Sequence, residues 1–99
     1  MSLIAVTRFE AVDTVEATEV RDRHTALVQA VRTATPGLTE ARLGQLPDGQ
    51  WVGVWRWDSM DTLKSVRELA PNLPEVKAAF ALVREGTSAV EEIEVLDEL

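Results

Sequence analysis

The residues of this chain best suited to chemistry are one histidine, His24, and three tryptophans, Trp51, Trp55 and Trp57, which fall within seven residues of one another. Positions 51–58 read Trp-Val-Gly-Val-Trp-Arg-Trp-Asp, a β-branched and aromatic run of the kind that forms a strand. Alternate side chains of a strand share a face. Trp51, Gly53, Trp55 and Trp57 therefore line one side, and Val52, Val54 and Arg56 the other. The first side is an indole wall with a gap at Gly53. A wall of this kind suits a flat aromatic molecule, and an imidazole beside it binds a phenol or shuttles a proton near neutral pH.

Each feature carries two readings. The indoles are either core beneath helices or the flank of a cavity, and Gly53 marks either a gap or a bulge. His24 lies four residues after Val20 and three before Leu27, on the stripe of a helix that faces the sheet. There it is either a hydrogen-bonded core or rim histidine or a polar group of a pocket. The pocket reading predicts that Trp55, Trp57 and His24 meet between the first helix and the sheet, around an apolar cavity.

The elements that must hold these residues follow from periodicity. Leu3 to Phe9 predicts a strand with Ile4, Val6 and Arg8 on one face and Leu3, Ala5, Thr7 and Phe9 on the other. Asp13 or Thr14 suits a helix N-cap, with Glu16 in capping-box spacing from Asp13. The helix runs to about Ala34, with Val20, Leu27, Val28 and Val31 in helical period and Pro36-Gly37 ending it. Leu38 to Leu46 predicts a second strand, which Pro47-Asp48-Gly49-Gln50 turns into the tryptophan strand. Asp58 or Ser59 caps a second helix carrying Met60, Leu63 and Val66; Pro71 and Pro74 interrupt it, and a further segment presents Val76, Ala79, Phe80 and Val83. Thr87 to Leu96 is the last strand. The order β-α-β-β-α-β is the ferredoxin-like plan, an α+β fold with a four-stranded antiparallel sheet, helices on one face, and the first and third strands central.

Composition narrows the function. Residues 1–99 form one domain. There is no cysteine and one histidine, so zinc, copper or iron would lack its usual ligands and no metal is expected. A net charge of −7 with no basic cluster makes nucleic acid an unsuitable partner. No segment reaches membrane-spanning length and none reads as a secretion signal, so the expectation is a soluble cytoplasmic protein. Ser59, Ser65 and Ser88 have no recognisable base partner, and the glycines form no phosphate or dinucleotide loop. Ile4, Val6, Val52 and Val54 make an apolar sheet face, with Arg8 and Arg56 at its ends, that so short a chain cannot cover. That face predicts a homodimer. Glu92 and Glu94 share one face of the last strand, and the expected partners of the two arginines are carboxylates across strands or subunits. The alternative for the arginines is an anion site.

Thr33-Ala34-Thr35-Pro36-Gly37, then Gln50 to Ser59, then Asp61-Thr62-Leu63, resembles the antibiotic biosynthesis monooxygenase family of dimeric α/β barrels over nearly the whole chain. The resemblance implies a pocket between the helices and the sheet of each subunit, with the opposite sheet faces packed as a dimer. It implies that Trp57, the tryptophan of the strand-end motif, borders that pocket, and that Thr7 is a pocket-facing hydroxyl. Haem-degrading relatives use a second-helix histidine as ligand, and this chain has none from Ser59 to Arg84. No haem, flavin or other cofactor is therefore expected. The implied function is a cofactor-independent, monooxygenase-like protein acting on an aromatic or polyketide-type molecule, with His24 as base and Trp51, Trp55, Trp57 and Thr7 around the substrate. A non-enzymatic dimeric ligand-binding or regulatory module of the same fold is the alternative, supported by the lack of tyrosine and of the second-helix histidine. An olefinic or lactone isomerase of a related barrel family, needing only an acid–base residue, is a third.

Overall fold

In a computed structural model, which describes residues 2–99, the elements run β1 (Leu3–Phe9), α1 (Ala17–Ala34), β2 (Leu38–Gln45), β3 (Trp51–Trp57), α2 (Met60–Leu69), a 3-10 turn (Ala70–Asn72), α3 (Pro74–Phe80) and β4 (Ala89–Glu94). The four strands form one antiparallel sheet in the order β2-β3-β1-β4. This is the ferredoxin-like α+β plan, with β1 and β3 central. No helix among the described residues is long and apolar enough to cross a membrane.

Local chemistry sets most boundaries. Between β2 and β3, Gly49 adopts φ 92° and Asp48 Oδ1 accepts from the Gln50 N–H at 2.9 Å, closing the turn. Ser59 caps α2, its Oγ accepting from the Thr62 N–H at 3.2 Å. Gly37, at φ 121°, lies against Thr62 and Asp58, where a Cβ would collide with the Thr62 side chain.

The start of α1 differs from expectation. The helix begins at Ala17, and Glu16 is its N-cap residue, with no side-chain capping bond. Asp13 and Thr14 lie upstream, in a segment committed elsewhere. Ala11 bridges Val83, the Val12 N–H donates to Leu82 O at 2.9 Å, and the Asp13 carboxylate is held by Arg84. A tertiary ion pair has taken the residue that local capping would have used.

Register explains how the core is arranged. Leu3, Ala5, Thr7 and Phe9 stand opposite Trp57, Trp55, Gly53 and Trp51, and all share the helix-facing side. Two buried clusters form there. One gathers Leu3, Val28, Val31, Leu38, Trp57, Leu63 and Val66; the other gathers Val20, Trp51 and Leu82. Between them, Gly53 occupies the rung shared with Thr7, Leu43 and Val90. The rung where the two clusters would meet thus has a strand position with no side chain.

Candidate functional site

A cavity of about 340 Å³ lies in that interval. Its floor is Ala5 and Thr7 of β1 with Gly53, Trp55 and Trp57 of β3. Its roof is His24 and Leu27 of α1, Leu63 of α2, and the α3 end around Ala79 and Leu82. Gly53 is buried, yet a Cβ built on it meets a single atom within 4 Å, Trp55 Nε1 at 3.8 Å. The space above the glycine is therefore open rather than filled by a neighbour. The volume falls in the range of small-molecule sites, and the lining is mostly apolar.

His24 and Trp55 meet on the wall of this cavity. The Trp55 Nε1–H donates to His24 Nε2 at 3.0 Å, and the rings stand edge to face at 5.7 Å and 71°. A nitrogen that accepts carries no proton, so the imidazole is neutral with its hydrogen on Nδ1. Burial pushes the His24 pKa below its ordinary 6.5. Protonation of Nε2 would also end the hydrogen bond from Trp55. Both causes favour the neutral ring.

The sign of the resulting pH dependence follows directly. The folded-state pKa is lower than the unfolded value, so the unfolded chain binds the extra proton first as pH falls. The contribution of His24 is complete above pH 6.5 and is lost as pH falls from there through the lower folded-state value. Thermal melts across this interval are expected to show a fall in midpoint that His24→Gln removes. An unchanged profile in the glutamine variant would assign the fall to carboxylates instead.

Trp57 borders the cavity from the other side, 6.0 Å from Trp55 between ring centroids. It is 2% exposed, and its Nε1–H is buried without a partner among the described residues. A buried donor left unpaired is costly, and such groups in native proteins call for an explanation. Thr7 lies on the floor beside Gly53.

Trp51 stands apart from the other two indoles. It packs with Val20 and Leu82 and borders a shallower groove shared with His24, Arg21 and Gln45. The strand parity is as expected, but Trp51 is one rung beyond Gly53 and lies under the first turn of α1, so it does not border the main cavity.

Three charged residues at the cavity, Arg23, Arg67 and Glu92, had no assigned place there. Arg67 follows Leu63 by four residues on α2, a spacing that puts both on one face, and that period is the signal that would have found it. Glu92 stands opposite Ala5, on the helix-facing side of β4, and pairs with Arg67. Within the chain, Arg8 and Arg56 therefore do not pair with Glu92 or Glu94, and the expected cross-strand carboxylate of Arg56 is Glu40 of β2. Those arginines lie on the opposite sheet face, where Arg56 meets Glu40 at 3.9 Å and also Glu98. Crossover connections do not fix strand register as hairpins do, so the parity of β4 was open in the sequence. Exposed pairs of this kind contribute about 1 kcal/mol or less.

No protein-family model matches the chain, and no curated protein does. Solved structures do. SnoaB, a cofactor-independent oxygenase from Streptomyces nogalater, superposes with a TM-score of 0.76 at 21% identity, over 99% of this chain and 96% of its own. A monooxygenase from the gene ActVA-Orf6 of Streptomyces coelicolor, in complex with nanaomycin D, does so with a TM-score of 0.76 at 19% identity, over 99% and 90%. A dimeric ferredoxin-like protein of unknown function from Thermobifida fusca matches with a TM-score of 0.66 at 19% identity, over 96% and 92%. At these identities the likeness establishes a common fold, the one implied by the sequence resemblance.

Proposed function

We propose that this chain is a homodimeric, cofactor-independent, monooxygenase-like enzyme acting on an aromatic or polyketide-type small molecule. The observation that carries this reading is the cavity of about 340 Å³ with a neutral imidazole–indole pair on its wall and Trp57 beside it. The likeness to SnoaB and to the ActVA-Orf6 protein supports it at the level of fold.

The chemistry asks little of the protein beyond position, a proton acceptor and a dry site. A phenolic or enolic substrate oxygen enters between Trp55 Nε1 and His24 Nε2. Its O–H bond breaks, the proton goes to Nε2, and the electron pair stays on the substrate. The Trp55 N–H, now free of His24, donates to the new oxyanion. The substrate anion reduces dioxygen, and a peroxide forms on the activated carbon. Its O–O bond breaks as water leaves, and a carbonyl remains. Nε2 returns its proton to the peroxide, so one oxygen atom ends in the carbonyl and the other in water, whose two hydrogens are the substrate's O–H proton and the hydrogen lost from the oxidised carbon. The substrate is itself the reductant. Oxygen uptake with an anthrone-type substrate tests this: stoichiometric consumption with quinone formation supports it, and binding without uptake counts against it.

That second outcome would favour a ligand-binding or regulatory module. The observation behind this alternative is that the Nε2 lone pair of His24 is already engaged by Trp55.

The homodimer rests on the other sheet face. Ile4, Val6, Val52 and Val54 are only partly buried there, and Ile93 of β4 adds 47% exposed apolar surface. A second copy joined through this face gives a closed two-fold pair, expected to bury more than about 1,000 Å². Val54→Asp would place a charge at its centre and is expected to yield monomer by light scattering. An unchanged mass would contradict this interface.

A further inference from the structure

The cavity carries a charge balance opposite to that of the chain. The whole sequence has 10 Lys and Arg against 17 Asp and Glu, a net −7. Along the cavity, among the described residues, Arg23 and Arg67 face a single acid, Glu92. Phe80 and Val90 line the same space and are 62% and 59% exposed, which places the mouth along β4. Glu92 lies on β4, and Arg67 reaches it from α2, so the ion pair spans the mouth. Arg67 is 54% exposed and Glu92 27%, so the guanidinium is reachable from solvent and from the cavity. Behind it, the lining is mostly apolar back to Trp55 and Trp57.

We propose that Arg67 recognises an acidic group on the ligand, and that Glu92 holds the guanidinium in that group's place. The ligand class is a flat aromatic acid, its rings in the apolar cavity and its carboxylate at the mouth. This rests on reading the cavity as an aromatic site. A guanidinium fork takes a carboxylate through two parallel hydrogen bonds, and one carboxylate replaces another without leaving the cation unpaired. Arg67 is half-exposed and Glu92 partly so, and the displaced carboxylate is rehydrated, so the exchange is inexpensive. A neutral aromatic offers the fork nothing and leaves it with Glu92. Glu92 is thus a built-in competitor: deleting its charge strengthens acid binding, whereas deleting that of Arg67 weakens it.

The test is calorimetric titration of the full chain with 1-naphthoate and with the neutral 1-naphthalenemethanol. Wild type is expected to bind the acid about tenfold more tightly than the alcohol, with the advantage shrinking at high salt. Arg67→Gln is expected to erase the advantage. Glu92→Gln is expected to tighten the acid by about threefold or more, leaving the alcohol within about twofold. Equal affinities of acid and alcohol in wild type would overturn the recognition by Arg67 while leaving the aromatic cavity intact, as would weaker acid binding in Glu92→Gln. Failure to bind either compound at about 1 mM would overturn the cavity reading and this proposal with it.

Discussion

Replacing His24 by alanine is expected to lower turnover of a phenolic substrate by about 10²- to 10⁴-fold, the usual contribution of a positioned proton acceptor, while the dimer stays folded. His24 is only partly buried and belongs to neither buried cluster, so its loss removes little packing. What it removes is the acceptor for the Trp55 N–H and the only imidazole of the chain. Oxygen-uptake kinetics with a parallel thermal melt check this. A variant that loses thermal stability but binds and turns over its ligand normally would assign His24 a structural role.

Trp57→Ala is expected to cost about 3–5 kcal/mol of stability, as large-to-small changes in packed cores do. Trp57 is 2% exposed and touches the cluster that joins β1, α1, β2 and α2 through Leu3, Val31, Leu38 and Leu63. Trp57→Phe separates this packing from the polar handle. The indole N–H has no partner among the described residues, so the phenylalanine variant loses no hydrogen bond within the protein and, keeping most of the aromatic volume, is expected to cost clearly less than alanine. If ligand affinity falls in the phenylalanine variant while stability holds, the orphan N–H serves the ligand. Urea unfolding and ligand titration give the two readouts. An alanine variant as stable as wild type would contradict the packing argument.

Much of this was legible because two periods act independently. Strand parity put Trp55 and Trp57 on the side facing the helices, and helical period put His24 on the side facing the sheet. Both hold whatever the loops do, so the meeting of the three side chains was readable. The turn at Asp48-Gly49 and the cap at Ser59 were readable because their bonds are local. The rest depends on contacts distant in sequence. Asp13 left its capping role for Arg84, 71 residues away. Glu92 faced the cavity because β4 pairs with β1 in a register that no hairpin imposes. Trp51 shares the parity of its neighbours, and only the position of α1 above the sheet separates it from them. Periodicity gives the face a residue occupies, but not what lies above it.

The hydrogen bond from Trp55 to His24 has an optical consequence. An excited indole gives up an electron more readily to an imidazolium than to a neutral imidazole, so its emission dims when the ring beside it gains a proton. Trp55 is in direct contact with the one imidazole of the chain. Acidification should therefore darken part of the intrinsic fluorescence with a midpoint that belongs to His24, and His24→Gln should abolish that step. A ligand that wedges between the two rings would uncouple the lamp from the proton. Its arrival would be visible as brightness that no longer follows pH.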